Sequence, residues 1–91
     1  MHPKFPLGQI VATPGALTAL ALNNHEPLEF LRRHVVGDWG ELDESDRAEN
    51  EVSLQQGFRL LSAYRLKDDT RLWIITEADR SVTTLLLPSE Y

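Results

Sequence analysis

The sequence predicts an α+β fold: a short N-terminal strand, two to three helices, then a three-stranded antiparallel meander with the helices packed on one sheet face. Three observations carry this. Apolar residues recur at helical spacing through the first half, and the period turns strand-like after Gly57. The three strand-like runs that follow are separated by turns too short for anything but antiparallel neighbours.

Each element has its own signals. LGQIVA, residues 7–12, alternates loosely and contains Ile10 and Val11, which suits a short strand. In TPGALTALALNN, Thr13 is a good N-cap, Pro14 fits the first helical position, and Asn23 and Asn24 suit the exit. A second helix covers EPLEFLRRHVV, with Pro27 near its start and Gly37 placed to end it at positive φ. Leu28, Leu31 and Val35 follow i, i+3, i+7 and are expected to face the core. A third helix fits ESDRAENEVSLQQ, capped by Asp43 and ended by Gly57, with Ala48, Val52 and Gln55 as a thin inner stripe. FRLLSAYRL, TRLWIITE and SVTTLLLP then read as strands, joined by the turns KDD and ADR and stopped at Pro88.

With 91 residues the chain is expected to form a single domain, 1–91, around one modest core. It has no cysteine, so disulfides and thiolate metal sites are excluded, and a cytoplasmic setting is the simplest expectation. The opening MHPKFPLGQIV lacks the long apolar run of a signal peptide, and no stretch has the length of a membrane span.

The net charge of −5 is unevenly placed. Asp38, Glu41, Asp43, Glu44, Asp46, Glu49 and Glu51 stand against Arg47 alone, so residues 38–51 carry −6 and the remainder +1. That segment repels a phosphate backbone and attracts a basic surface. Most of its charges also have structural uses. Carboxylates favour the start of the third helix, and Arg32 and Arg33 favour the end of the second. Trp39 is expected to drop onto the core beside Phe30, its N–H finding a carbonyl.

Several groups could carry chemistry. His34, Asp38 and Glu41 have a spacing that continuous helix would align for a metal, but Gly37 interrupts it, so no metal and no cofactor is expected. His34, on the border of its helix's apolar stripe, is either a hydrogen-bonding group or a general acid-base. TEADRSVTT supplies Glu77, Asp79 and Arg80; a carboxylate, an arginine and a histidine are what metal-free RNA cleavage needs, and the same residues also make an ordinary turn. Arg59, Arg65, Lys67, Arg71 and Arg80 interleave with Tyr64 and Trp73. That pattern serves single-stranded RNA by stacking and phosphate contact, or a sheet edge and its solvent face.

At FPLGQIVATPGAL, RRHVVGDWGELDESDR and IITEADRSVTTLLLPSEY the chain resembles a family of small bacterial proteins encoded on plasmids and integrated mobile elements. Some relatives carry labels borrowed from restriction-modification subunits, for which 91 residues are too few to make a methyltransferase or motor subunit. The resemblance implies no activity. In element order, with His34 on a helix and Arg80-Ser81 at a strand start, the chain also looks like the barnase/EndoU/RelE-type ribonucleases.

The leading expectation is therefore a non-catalytic accessory protein of a mobile genetic element. It would bind a protein with a basic surface through Asp38, Trp39, Glu41, Asp43, Glu44, Asp46 and Glu49, with Trp39 as anchor. The alternative is a small metal-independent ribonuclease using His34, Glu77 or Asp79, and Arg80, the one reading in which nucleic acid is the partner. A third is a homodimer through a sheet edge or exposed apolar residues.

Overall fold

A computed structural model describes residues 2–91. The order is β1 (Gln9–Ala12), α1 (Pro14–Leu22), α2 (Pro27–Val35), α3 (Glu44–Gln56), β2 (Leu60–Arg65), β3 (Arg71–Thr76), β4 (Val82–Leu86) and a closing 3-10 turn at Pro88–Glu90. The molecule is α+β, with three helices and a four-stranded mixed sheet in the order β1-β4-β3-β2. The last three strands pair antiparallel, Trp73 opposite both Ala63 and Leu86. β1 joins β4 in parallel, Gln9 in register with Val82 and Ala12 with Leu85, so the sheet is not purely antiparallel.

The helices begin where the chain supplies a cap. Thr13 accepts from the Ala16 amide ahead of α1, and Asp43 accepts from Asp46 ahead of α3. Pro27 opens α2 with Glu26 at the cap position. Gly37, at φ 83°, reverses the chain after α2.

Alternation along the strands divides the sheet into two faces. Leu60, Ser62, Tyr64, Leu72, Ile74, Thr76, Thr83 and Leu85 point to one face and are all buried. There they meet Ala16, Ala19 and Leu20 of α1 and Phe30 and Leu31 of α2. The stripe expected on α2 is displaced: Phe30, Leu31 and His34 face inward, while Leu28 is 52% exposed. Phe30 is the largest apolar side chain of that helix, and burying it outweighs burying Leu28.

α3 departs further. Its buried residues are Asn50 and Ser53, whereas Ala48, Val52 and Gln55 point to solvent. The cause is a polar docking. Asn50 Nδ2 donates to the Leu61 carbonyl (2.6 Å) and its Oδ1 accepts from the Leu61 amide (3.1 Å), so the amide pairs with β2's outer edge as a strand residue would. The loop before α3 closes the rest of that edge. Ala63 donates to the Trp39 carbonyl, and the Ala63 carbonyl accepts from Glu41. Gly40 sits between them at φ 77°, where a Cβ would lie 2.1 Å from the Ala63 oxygen, so only glycine allows this approach.

Candidate functional site

The polar residues singled out by the sequence lie around the end of the sheet where β2 starts and β3 ends. His34 projects from α2 into the core and is fully buried. Its Nδ1 is 2.6 Å from Ser62 Oγ and its Nε2 is 2.9 Å from Thr76 Oγ1. Thr76 Oγ1 lies 2.8 Å from Thr83 Oγ1, and the Thr83 hydroxyl donates to the Leu7 carbonyl at 2.7 Å. With the imidazole neutral, counting hydrogens fixes every direction in this chain. A carbonyl only accepts, so Thr83 has spent its proton on Leu7, and Thr76 must donate to Thr83. His34 Nε2–H then donates to Thr76, and Nδ1 accepts from Ser62. The imidazole is the neutral Nε2–H tautomer with both nitrogens satisfied. Burial, and secondarily the charge of Arg80, lower its pKa from 6.5 to about 4.

Around this network stand Phe5, edge-on to His34 at 5.2 Å, and Trp39, edge-on at 5.8 Å. Trp39 is 2% exposed, packs with Phe5 and Leu60, and donates its indole N–H to Glu51 Oε2 at 2.8 Å. The expected neighbour was Phe30 and the expected acceptor a carbonyl; the N-terminal segment supplies Phe5 in the first role and α3 supplies Glu51 in the second. A tryptophan so enclosed cannot anchor a partner.

Arg80 is likewise committed. Its guanidinium donates to the carbonyls of Phe58 (2.6 Å), Glu77 (3.1 Å) and Ser53 (3.1 Å), and its Cζ lies 5.8 Å over the Phe5 ring. It ties the end of α3 to the entry of β2 and the exit of β3, where a cation also suits the negative end of the helix dipole. Asp79 holds the turn through the Ser81 amide and hydroxyl, bonds that keep its carboxyl below the usual range. Glu77 lies 3.5 Å from Arg59. The four residues of the nuclease expectation thus come from one end of the sheet but form no reaction centre. The histidine is sealed in, and both terminal nitrogens of the arginine are bonded to backbone carbonyls.

The carboxylates of 38–51 separate into two groups. Asp38 pairs with Arg33 Nε at 2.7 Å, which holds its carboxyl below the ordinary range. Glu41 pairs with Arg65, which arrives from β2. Asp43 caps α3 and Glu51 holds Trp39. Glu44, Asp46 and Glu49 are exposed and make no ion pair among the described residues. The His34, Asp38 and Glu41 set considered for a metal is dispersed by these same partnerships, and no group of three candidate ligands forms among the described residues.

Compared with protein-family profiles, curated proteins and solved structures, the chain matches none. Its site must be read from its own geometry.

The basic and aromatic residues of the strands also split. Tyr64 is buried on the helix-covered face, where it packs against Phe30 and donates to the Asp38 carbonyl. Arg59, Arg65, Arg71 and Trp73 belong to the opposite face by alternation. There Arg59, Leu61, Trp73, Ile75 and Tyr91 line a cavity of about 230 Å³, with the Tyr91 hydroxyl accepting from Arg59 at 2.6 Å. Arg59 and Arg65 are neutralised by Glu77, Glu41 and Asp69, so this face is no strongly cationic platform.

Sequence reasoning missed Ser62, Thr76 and Thr83 as a set. The signal was present: each sits at an inward position of its strand, beside Leu60, Ile74 and Leu85. Three hydroxyls on one buried face need a shared polar partner, and His34 is the helical residue able to supply it.

Proposed function

We propose that the chain is a non-catalytic interaction protein that docks a basic partner protein through the solvent side of α3. The observation that carries this is the free group of carboxylates: Glu44, Asp46 and Glu49 are exposed and unpaired where Asp38, Glu41, Asp43 and Glu51 are consumed internally. Residues 38–51 carry −6 against +1 elsewhere, so a negative potential is available to steer a cationic surface. Trp39 drops out of the recognition surface, and Asp38 and Glu41 belong to its rim. The proposed accessory role lies with a mobile genetic element, within the cytoplasm. The ribonuclease alternative loses its support in the sealed imidazole of His34 and the carbonyl-bound guanidinium of Arg80.

The test is reversal of Glu44, Asp46 and Glu49 to lysine, leaving the capping Asp43 in place. Wild type and variant are used to capture partners from the native cell, and the affinity for the protein recovered is measured at low and high salt. Binding should weaken at least about tenfold on reversal and fall with added salt. Retention of the same partner at the same affinity by the triple variant would show that another surface is used.

A further inference from the structure

The two edges of the sheet are treated differently. The outer edge of β2 is closed by the chain itself, through Trp39, Glu41 and Asn50. At the other edge β1 pairs only with β4. The amides of Gln9 and Thr13 donate inward, to Ser81 and Leu85. In a parallel ladder the residues between then turn their backbone groups the other way, so the N–H and C=O of Ile10 and Ala12 face outward. Ile10 is 49% exposed and Val11 38%. The strand Gln-Ile-Val-Ala is only four residues long, but it carries no lysine, no proline and no inward charge.

We propose that this edge is a self-association surface, and that its occupant is β1 of a second copy running antiparallel. Charge selects the occupant. Two copies with net charge −5 repel across much of their surface, but Phe5 through Asn24 contains no charged side chain, so they approach here without that cost. The register follows from which groups face outward. Ile10 pairs with Ala12 of the other copy, and Ala12 with its Ile10, each exchanging both hydrogen bonds and making four in all. Val11 meets its own symmetry mate on the two-fold axis in a non-hydrogen-bonded pair, where side chains approach most closely. The two sheets become one of eight strands, centred on the pair of β1 strands.

Sedimentation of the full chain from about 5 µM to 1 mM tests this, together with two variants. Wild type should shift with concentration from the 10.3 kDa monomer to twice that mass. Val11→Lys, which places two like charges on the axis at an exposed position, should raise the dimer dissociation constant at least about tenfold. Val11→Cys supplies the only thiol in the chain, and on mild oxidation it should cross-link far faster than Gln56→Cys, an exposed thiol at the end of α3, on the β2 side of the sheet. This second variant decides the matter even if the lysine disturbs folding. A wild type that stays monomeric to 1 mM overturns the proposal. So does a dimer that Val11→Lys leaves unchanged in a folded chain, or a Val11 thiol no faster than the control.

Discussion

Protonating His34 would place a charge between Ser62 and Thr76, in a site closed to solvent and already near the Arg80 guanidinium. The folded chain therefore resists the proton until about pH 4, while the unfolded chain accepts it below the ordinary value of 6.5. Stability from this residue is fully present above pH 6.5, declines as pH falls, and is gone near pH 4, about 3 kcal/mol in total. Urea melts at pH 7 and 4.5 should show wild type losing about 2–3 kcal/mol more than His34→Gln, which cannot titrate. Arg80 offers a second residue-scale check. Arg80→Met keeps much of the side chain's apolar stem but removes three hydrogen bonds. Glu77 and Ser53 keep backbone donors to their carbonyls while Phe58 loses its donor, so the change should cost about 1–2 kcal/mol with no loss of secondary structure. Neither role was visible one residue at a time. The candidate chemistry of His34 and Arg80 was legible as residue type, but whether their polar atoms face substrate or their own backbone is decided by β2, β3 and β4 coming together.

Among the elements, α3 is where periodicity misleads. Ala48 and Val52 look like an inner stripe because apolar spacing is the usual guide, yet the helix is seated by Asn50 on a strand edge. Unpaired backbone at that edge is a stronger demand than burying one valine. Asn50→Ala should therefore destabilise by about 2–3 kcal/mol, and Val52→Ala should change stability by less than about 0.5 kcal/mol, both read from denaturant midpoints. The helix ends were more legible, since Thr13, Asp43 and Gly57 act locally and cap as their residue types suggest. The placement of β1 was not. Its alternating pattern marks it as a strand, but nothing in six residues states whether its neighbour is near in sequence or runs parallel to it.

At the scale of the molecule, the charge asymmetry seen in the sequence survives folding only in part. Arg33 and Arg65 draw Asp38 and Glu41 into pairs, and the recognition surface contracts onto the exposed side of α3. Reversing Glu44 and Asp46 also opposes the helix dipole at the first turn. The triple variant should lose about 1–2 kcal/mol in a thermal melt while keeping its circular dichroism, so lost binding is separable from lost folding. The parallel pairing of β1 carries a last consequence. Gln9 meets Val82 across more than seventy intervening positions, whereas β2 and β3 are joined by a tight turn. Closing so long a loop is entropically demanding, and β1 has a ladder partner only once β4 is in place. The first strand should therefore dock late and be released early. Amide hydrogen exchange in dilute protein should report this, with the Thr13 amide exchanging orders of magnitude faster than that of Ile74 and through a local opening that leaves the hairpin intact.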